Sequence, residues 1–159
     1  MTEATTSFVY VTYIAATPER VFEAIARPEI AGRYWGHENV SDWAPGSRWD
    51  HVAVADRSVK ISGHVVENTP PKRLVITWAS PASFPDPKKH SRVTFDITPY
   101  DDGMVRLTVT HDELEAGSAM AAGVSKGWPC VLSSLKSFLE TGRPLNVFAK
   151  PVEDPAAAA

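Results

Sequence analysis

Two residue types in this 159-residue chain carry most of its chemical potential: five histidines and five tryptophans. The histidines are His37, His51, His64, His90 and His111. An imidazole can ligate a metal, move a proton or anchor a ligand near neutral pH. No two of them stand at a ligand-like spacing, and no metal site is expected. His51 and His111 differ from the rest in one respect. Each falls in phase with the apolar residues of its own strand pattern, so both are expected to face the interior. The plainer reading is a partly buried histidine satisfied by a backbone carbonyl. The sharper one is a polar anchor in an otherwise apolar pocket. Acid–base work also needs a partner within hydrogen-bond reach. Asp112 adjoins His111, but strand alternation places it on the opposite face, so no catalytic residue is assigned.

The tryptophans are Trp35, Trp43, Trp49, Trp78 and Trp128. Trp49 and Trp78 occupy inward positions of strand-like runs, and Trp128 lies on the apolar stripe of a helix-like run. Three indoles are thus expected to converge on one interior, either as core filling or as the walls of a cavity. Aromatic walls suit flat apolar ligands, through stacking and area burial. Between two strand patterns runs the proline-punctuated segment 80–90, longer than an ordinary hairpin loop. Phe84 at its centre is a candidate lid over a pocket mouth.

The remaining chemistry is notable for what is missing. There is no glycine-rich dinucleotide or phosphate loop, no His-Glu-x-x-His and no Gly-x-Ser-x-Gly, and no cofactor is expected. Cys130 is the single cysteine, so no internal disulfide and no Cys-x-x-Cys metal site can form. A net charge of −3 lacks the basic footprint of nucleic-acid binding. With 43% hydrophobic and 22% charged residues the composition is that of an ordinary globular domain. No apolar run is long enough to span a bilayer. The polar, acidic N-terminus does not read as a signal peptide, and the expected setting is the cytoplasm.

Elements that must position these residues can be read from periodicity. Residues 6–14 form a β-branched and aromatic strand. Thr17-Pro18 opens a helix bearing Val21, Phe22 and Ile25, and Pro28 starts a second short one reaching Trp35. Strands are expected over 48–54, 58–67, 73–79, 91–98 and 104–111, with Asp101-Asp102-Gly103 as a hairpin turn. Gly63 marks a bulge or a close backbone approach. Beyond His111 the period becomes helical through Met120, Val124, Trp128, Val131, Leu135 and Phe138, closed by Gly142. Pro129 within that run is expected to kink the helix or start a new one. Residues 1–5 read as a flexible N-terminus, 6–142 as one domain and 143–159 as a disordered tail.

The order of elements and several stretches resemble the Hsp90 ATPase activator homologue 1-like (AHSA1-like) family of the START-like (SRPBCC) superfamily. The stretches are Ala15 to Ile25, the Trp35 region, Pro70-Pro71-Lys72-Arg73-Leu74-Val75-Ile76-Thr77-Trp78, Val105 to His111, and Gly127 to Lys136 with Leu139 to Gly142. The likeness covers roughly residues 6–145. It implies an α+β helix-grip (START/Bet v 1-like) fold, in which a curved antiparallel sheet of about six strands wraps around a long C-terminal helix. Two short helices follow the first strand, and the sheet and helix enclose a pocket. The Gly127-Trp128-Pro129 stretch resembles a bacterial subgroup found beside ArsR-type repressors. On this reading Trp35, Trp49, Trp78, Phe95, Met120 and Trp128 wall a site for a small aromatic, polyketide-like or lipid-like molecule, with His51 and His111 as polar anchors. The alternatives the resemblance leaves open are an interaction module for an Hsp90-type chaperone and a cyclase-like enzyme using a pocket histidine. Monomer and homodimer both stay open, since an exposed sheet edge would permit pairing.

Overall fold

A computed structural model describes residues 4–145. Its elements are β1 (Thr5–Ile14), α1 (Pro18–Ala26), α2 (Pro28–Trp35), β2 (His37–Val40), β3 (Arg48–Ala53), β4 (Val59–Thr69), β5 (Arg73–Trp78), β6 (Ser91–Pro99), β7 (Val105–Glu115) and α3 (Ala119–Thr141). The strands form a single antiparallel sheet in the order β1-β7-β6-β5-β4-β3-β2. Strands β1 and β2 are consecutive strands at opposite edges, so α1 and α2 must carry the chain across the open sheet. Register shifts at Thr6/Phe8, His51/Val52 and Val65/Glu67 mark bulges, which bend strands and help the sheet curl. The α+β helix-grip architecture is therefore present, with α3 against the concave face.

The sheet has seven strands, one more than periodicity suggested. The additional one is β2, whose sequence His-Glu-Asn-Val is too short and too polar to alternate. Pairing supplies what pattern lacks, since His37 to Val40 oppose Ala53 to Asp50 along β3.

Local signals govern the helices. Thr17 Oγ1 accepts from the amide of Arg20 at 3.2 Å, and Ser118 Oγ accepts from that of Ala121 at 3.1 Å, capping α1 and α3. Gly142, at φ 80°, closes α3 with its amide on the carbonyl of Phe138. Pro129 does not start a new helix: α3 runs unbroken for 23 residues around it. The missing amide leaves the carbonyl of Ser125 without its helical donor.

Burial follows the alternation. Val93, Phe95 and Ile97 on β6, and Val105, Leu107 and Val109 on β7, are all buried in one core with Leu132 and Leu135 of α3 and Val21 and Ile25 of α1. Polar side chains then lock the C-terminal half of α3. Ser134 Oγ donates to the carbonyl of Tyr34 at 2.8 Å, and Lys136 Nζ donates to the carbonyl of Tyr13. Glu140 accepts from the amide of Ala15 at 2.8 Å, and Arg20 donates to the carbonyl of Leu139 at 3.2 Å.

At the ends, β1 begins at Thr5, paired with Glu115. Ser137 Oγ donates to the carbonyl of Arg143, and the amide of Leu145 donates to Ser134 Oγ, so residues 143–145 fold back on α3. The rest of the expected tail and residues 1–3 lie outside the described residues. No helix among the described residues is long and apolar enough to cross a membrane.

Candidate functional site

Between α3 and the half of the sheet formed by β3, β4 and β5 lies a cavity of about 400 Å³. Its walls are Trp35 at the end of α2, His51 on β3, Ile61 on β4, Trp78 on β5, and one face of α3 from Ala119 to Val131. Alternation explains the strand contributions. Trp49 and His51 are two apart on β3 and share the inward face, while Arg48 points out.

The indoles do converge. Ring centroids stand 5.5 Å apart for Trp49–Trp78, Trp78–Trp128 and Trp35–Trp128, with His51 at 4.8 Å from Trp35 and 5.5 Å from Trp78. Of the eight residues singled out by sequence, Trp35, His51, Trp78, Met120 and Trp128 line the cavity. The other three lie behind its walls. Trp49 backs His51 and Trp78, and Phe95 meets Trp128 edge-on at 5.8 Å. His111 is fully buried beneath Trp78 and Trp128.

Gly63 makes this packing possible. Trp49 Nε1 donates to the carbonyl of Thr77 at 2.7 Å, reaching from β3 across β4 to β5. A Cβ on Gly63 would collide with that carbonyl and stand 2.6 Å from Trp49 Nε1. Of the two alternatives the sequence offered, the close backbone approach is the one that operates here.

Hydrogen bonding settles the state of His111. Ser91 Oγ donates to the carbonyl of Trp78 at 3.1 Å, which uses its only proton. The 2.7 Å contact between Ser91 Oγ and His111 Nε2 must then be donated by the histidine. Nδ1 is left as an acceptor, and Trp128 Nε1 donates to it at 3.1 Å. The ring is neutral and both nitrogens are committed. Burial holds its pKa down at about 4. This direction is opposite to nucleophile activation, in which the hydroxyl gives its proton to the imidazole. His111 therefore positions Trp128, and through Ser91 it is tied to Trp78.

The same logic fixes His51. Asn39 Nδ2 donates to the carbonyl of Ile25 at 2.8 Å, so its Oδ1 faces His51 and accepts from Nδ1 at 2.7 Å. Burial, and then the neighbouring His37 stacked at 4.5 Å, push the pKa of His51 down to about 3. Asn39 went unremarked in the sequence because it lies on β2, the strand that pattern reading missed.

Phe84 is not a lid. Its ring lies under the guanidinium of Arg48 at 4.3 Å and beside His64 at 5.1 Å, on the outer face of the sheet. His90 holds it there, donating from Nε2 to the carbonyl of Phe84 and accepting on Nδ1 from Thr77 Oγ1, both at 2.8 Å. Thr77 points outward because Trp78 points inward.

Also not assigned to the site from the sequence were Ala119, Gly123 and Gly127, which line the cavity from α3. Their spacing of four is a legible signal: one helical face without bulk leaves room beside it. No group of histidine, cysteine, aspartate and glutamate capable of holding a metal ion occurs among the described residues.

The sequence matches the family model described as Activator of Hsp90 ATPase homolog 1-like protein over residues 15–140. The chain belongs to this family. Its described region is thus an AHSA1-like domain, and membership gives a START-like ligand-binding domain at the level of the family. Solved structures agree on the fold. Protein MLL2253 from Mesorhizobium loti superposes with a TM-score of 0.71 at 26% identity, covering 85% of this chain and 97% of that one. ChR145 from Cytophaga hutchinsonii gives 0.68 at 28% identity, covering 89% and 98%. The Aha1 dimer from Colwellia psychrerythraea gives 0.71 at 19% identity over 86% and 98%, a likeness of fold alone. No curated protein matches the sequence.

Proposed function

We propose that this AHSA1-like domain binds a small, flat, largely apolar molecule in the cavity between α3 and the sheet. The observation that carries the reading is the lining. Three indoles, aliphatic side chains and the bare face of α3 line an open-mouthed space of about 400 Å³, and His51 is the one titratable residue on the wall. Small-molecule sites commonly fall between 300 and 1,000 Å³ and combine apolar walls with a few placed polar groups. Binding is favoured over a cyclase-like activity for a related reason. No carboxylate or hydroxyl group lines the cavity beside His51, and an imidazole held at about pKa 3 is a weak base at neutral pH.

Titration against flavonoids, polyketides and fatty acids tests the proposal. Trp35, Trp78 and Trp128 on the wall should report binding as saturable quenching of fluorescence, with a melting temperature that rises with ligand concentration. Val124→Phe, which extends a lining side chain toward the void, should abolish both responses in a protein that still melts cooperatively. A panel that leaves fluorescence and melting unchanged, or a Val124→Phe variant that titrates like the parent, would overturn it. The family description also names Hsp90, so a chaperone partner acting on the outer surface is the second reading. Retention of this chain on the host chaperone, undiminished in Val124→Phe, would favour it.

A further inference from the structure

We infer that the cavity selects a ligand bearing a hydroxyl or N–H donor, a phenol-like molecule of two or three fused rings, because Asn39 fixes His51 as a hydrogen-bond acceptor. This deepens the proposed function and rests on it. The argument is one of proton accounting. Asn39 has one acceptor oxygen and one amide group, and the amide is spent on the carbonyl of Ile25 at 2.8 Å. Only the oxygen can meet His51, so Nδ1 carries the ring proton. A neutral imidazole holds one proton, and Nε2 is therefore a bare lone pair.

That nitrogen is also the polar atom left over. His51 is only 4% exposed, and Nε2 has no protein donor among the described residues. His51 lines the cavity and its Nδ1 is turned to Asn39, which leaves Nε2 as the ring nitrogen a guest would meet. A carbonyl or ether oxygen placed there would set lone pair against lone pair. A carboxylate would be worse, since no cationic side chain lines the cavity to offset its charge. A hydroxyl satisfies it. Size follows from volume: engineered cavities of about 150 Å³ take benzene, so about 400 Å³ suits two or three fused rings.

The test uses three probes of one shape: naphthalene, 2-naphthol and 2-methoxynaphthalene. All three should bind, with 2-naphthol tighter than its methyl ether by roughly three- to tenfold, the worth of one net hydrogen bond. His51→Phe should keep naphthalene binding and erase the difference between the other two. Nitrogen-15 spectra of the imidazoles give an independent reading. In the free protein the His51 signal should show Nδ1 protonated and Nε2 bare, and Nε2 should shift on addition of 2-naphthol. Equal binding of all three probes, or a His51 protonated on Nε2, overturns the inference and leaves the ligand pocket standing. Failure of all three to bind overturns the inference, and a silent panel of flavonoids, polyketides and fatty acids beside it overturns the pocket as well.

Discussion

Each of the three histidines whose bonding is set by its neighbours gives one proton and takes one, or keeps one lone pair free. His90 fastens a loop to the outer face of the sheet, His111 locks two indoles from behind, and His51 alone keeps a nitrogen for the cavity. Neutrality is the condition for all of this at His51 and His111, and it sets how stability varies with acidity. Their folded pKa values, about 3 and about 4, lie below the ordinary 6.5. Between pH 6.5 and about 4 the unfolded chain takes up protons that the folded one refuses. The stabilisation is therefore complete above 6.5 and is lost as the pH falls through that window. Each group contributes up to about 1.4 kcal/mol per pH unit. Urea unfolding from pH 7.5 to 4 should show this slope, and His111→Gln should remove its share of it, leaving that of His51, while lowering stability at pH 7.5 by about 1–3 kcal/mol. An unchanged slope in the variant would remove His111 from the account.

At the scale of elements, the sheet owes its shape to positions where a side chain is absent as much as to those where one is present. Gly63 lets Trp49 cross β4 to the carbonyl of Thr77. Gly63→Ala should cost about 3 kcal/mol, since the obstructing atoms are backbone and the strands must part. Chemical denaturation reads this directly; a loss below 1 kcal/mol would mean that β4 and β5 separate easily. Much of this level was legible in the sequence. Val93, Phe95 and Ile97, or Val105, Leu107 and Val109, announce one buried face, and Thr17 and Gly142 announce helix ends. The strand β2 was not legible, because four residues of mixed polarity take their conformation from β3 rather than from their own pattern. In the site, alternation identified which residues face inward but not how deep each one lies. That is why Trp78 and His51 reach the cavity while Trp49 and His111 stop behind it. A loop carries even less directional information, and Phe84 consequently closes on the outer face.

For the molecule as a whole, the asymmetry of α3 matters most. Its C-terminal half is tied to α1, α2 and β1 through Ser134, Lys136, Leu139 and Glu140. Its N-terminal half walls the cavity, carries Gly123 and Gly127, and is followed at once by Pro129. A Cβ at Gly123 would meet no atom within 4 Å. Gly123→Ala should therefore raise stability by about 0.5–1 kcal/mol through helix propensity alone, measurable as a higher melting temperature. A drop would mean that the bare face is needed for packing.

The gap that Pro129 leaves at the carbonyl of Ser125 then becomes a matter of timing. One end of the helix can fray without loosening the other, which gives this wall of the cavity a rate of opening of its own. Amides of residues 120–127 should exchange with deuterium faster than those of 131–139. The same residues that hold the molecule together would thus stand apart from the clock that its cavity wall keeps.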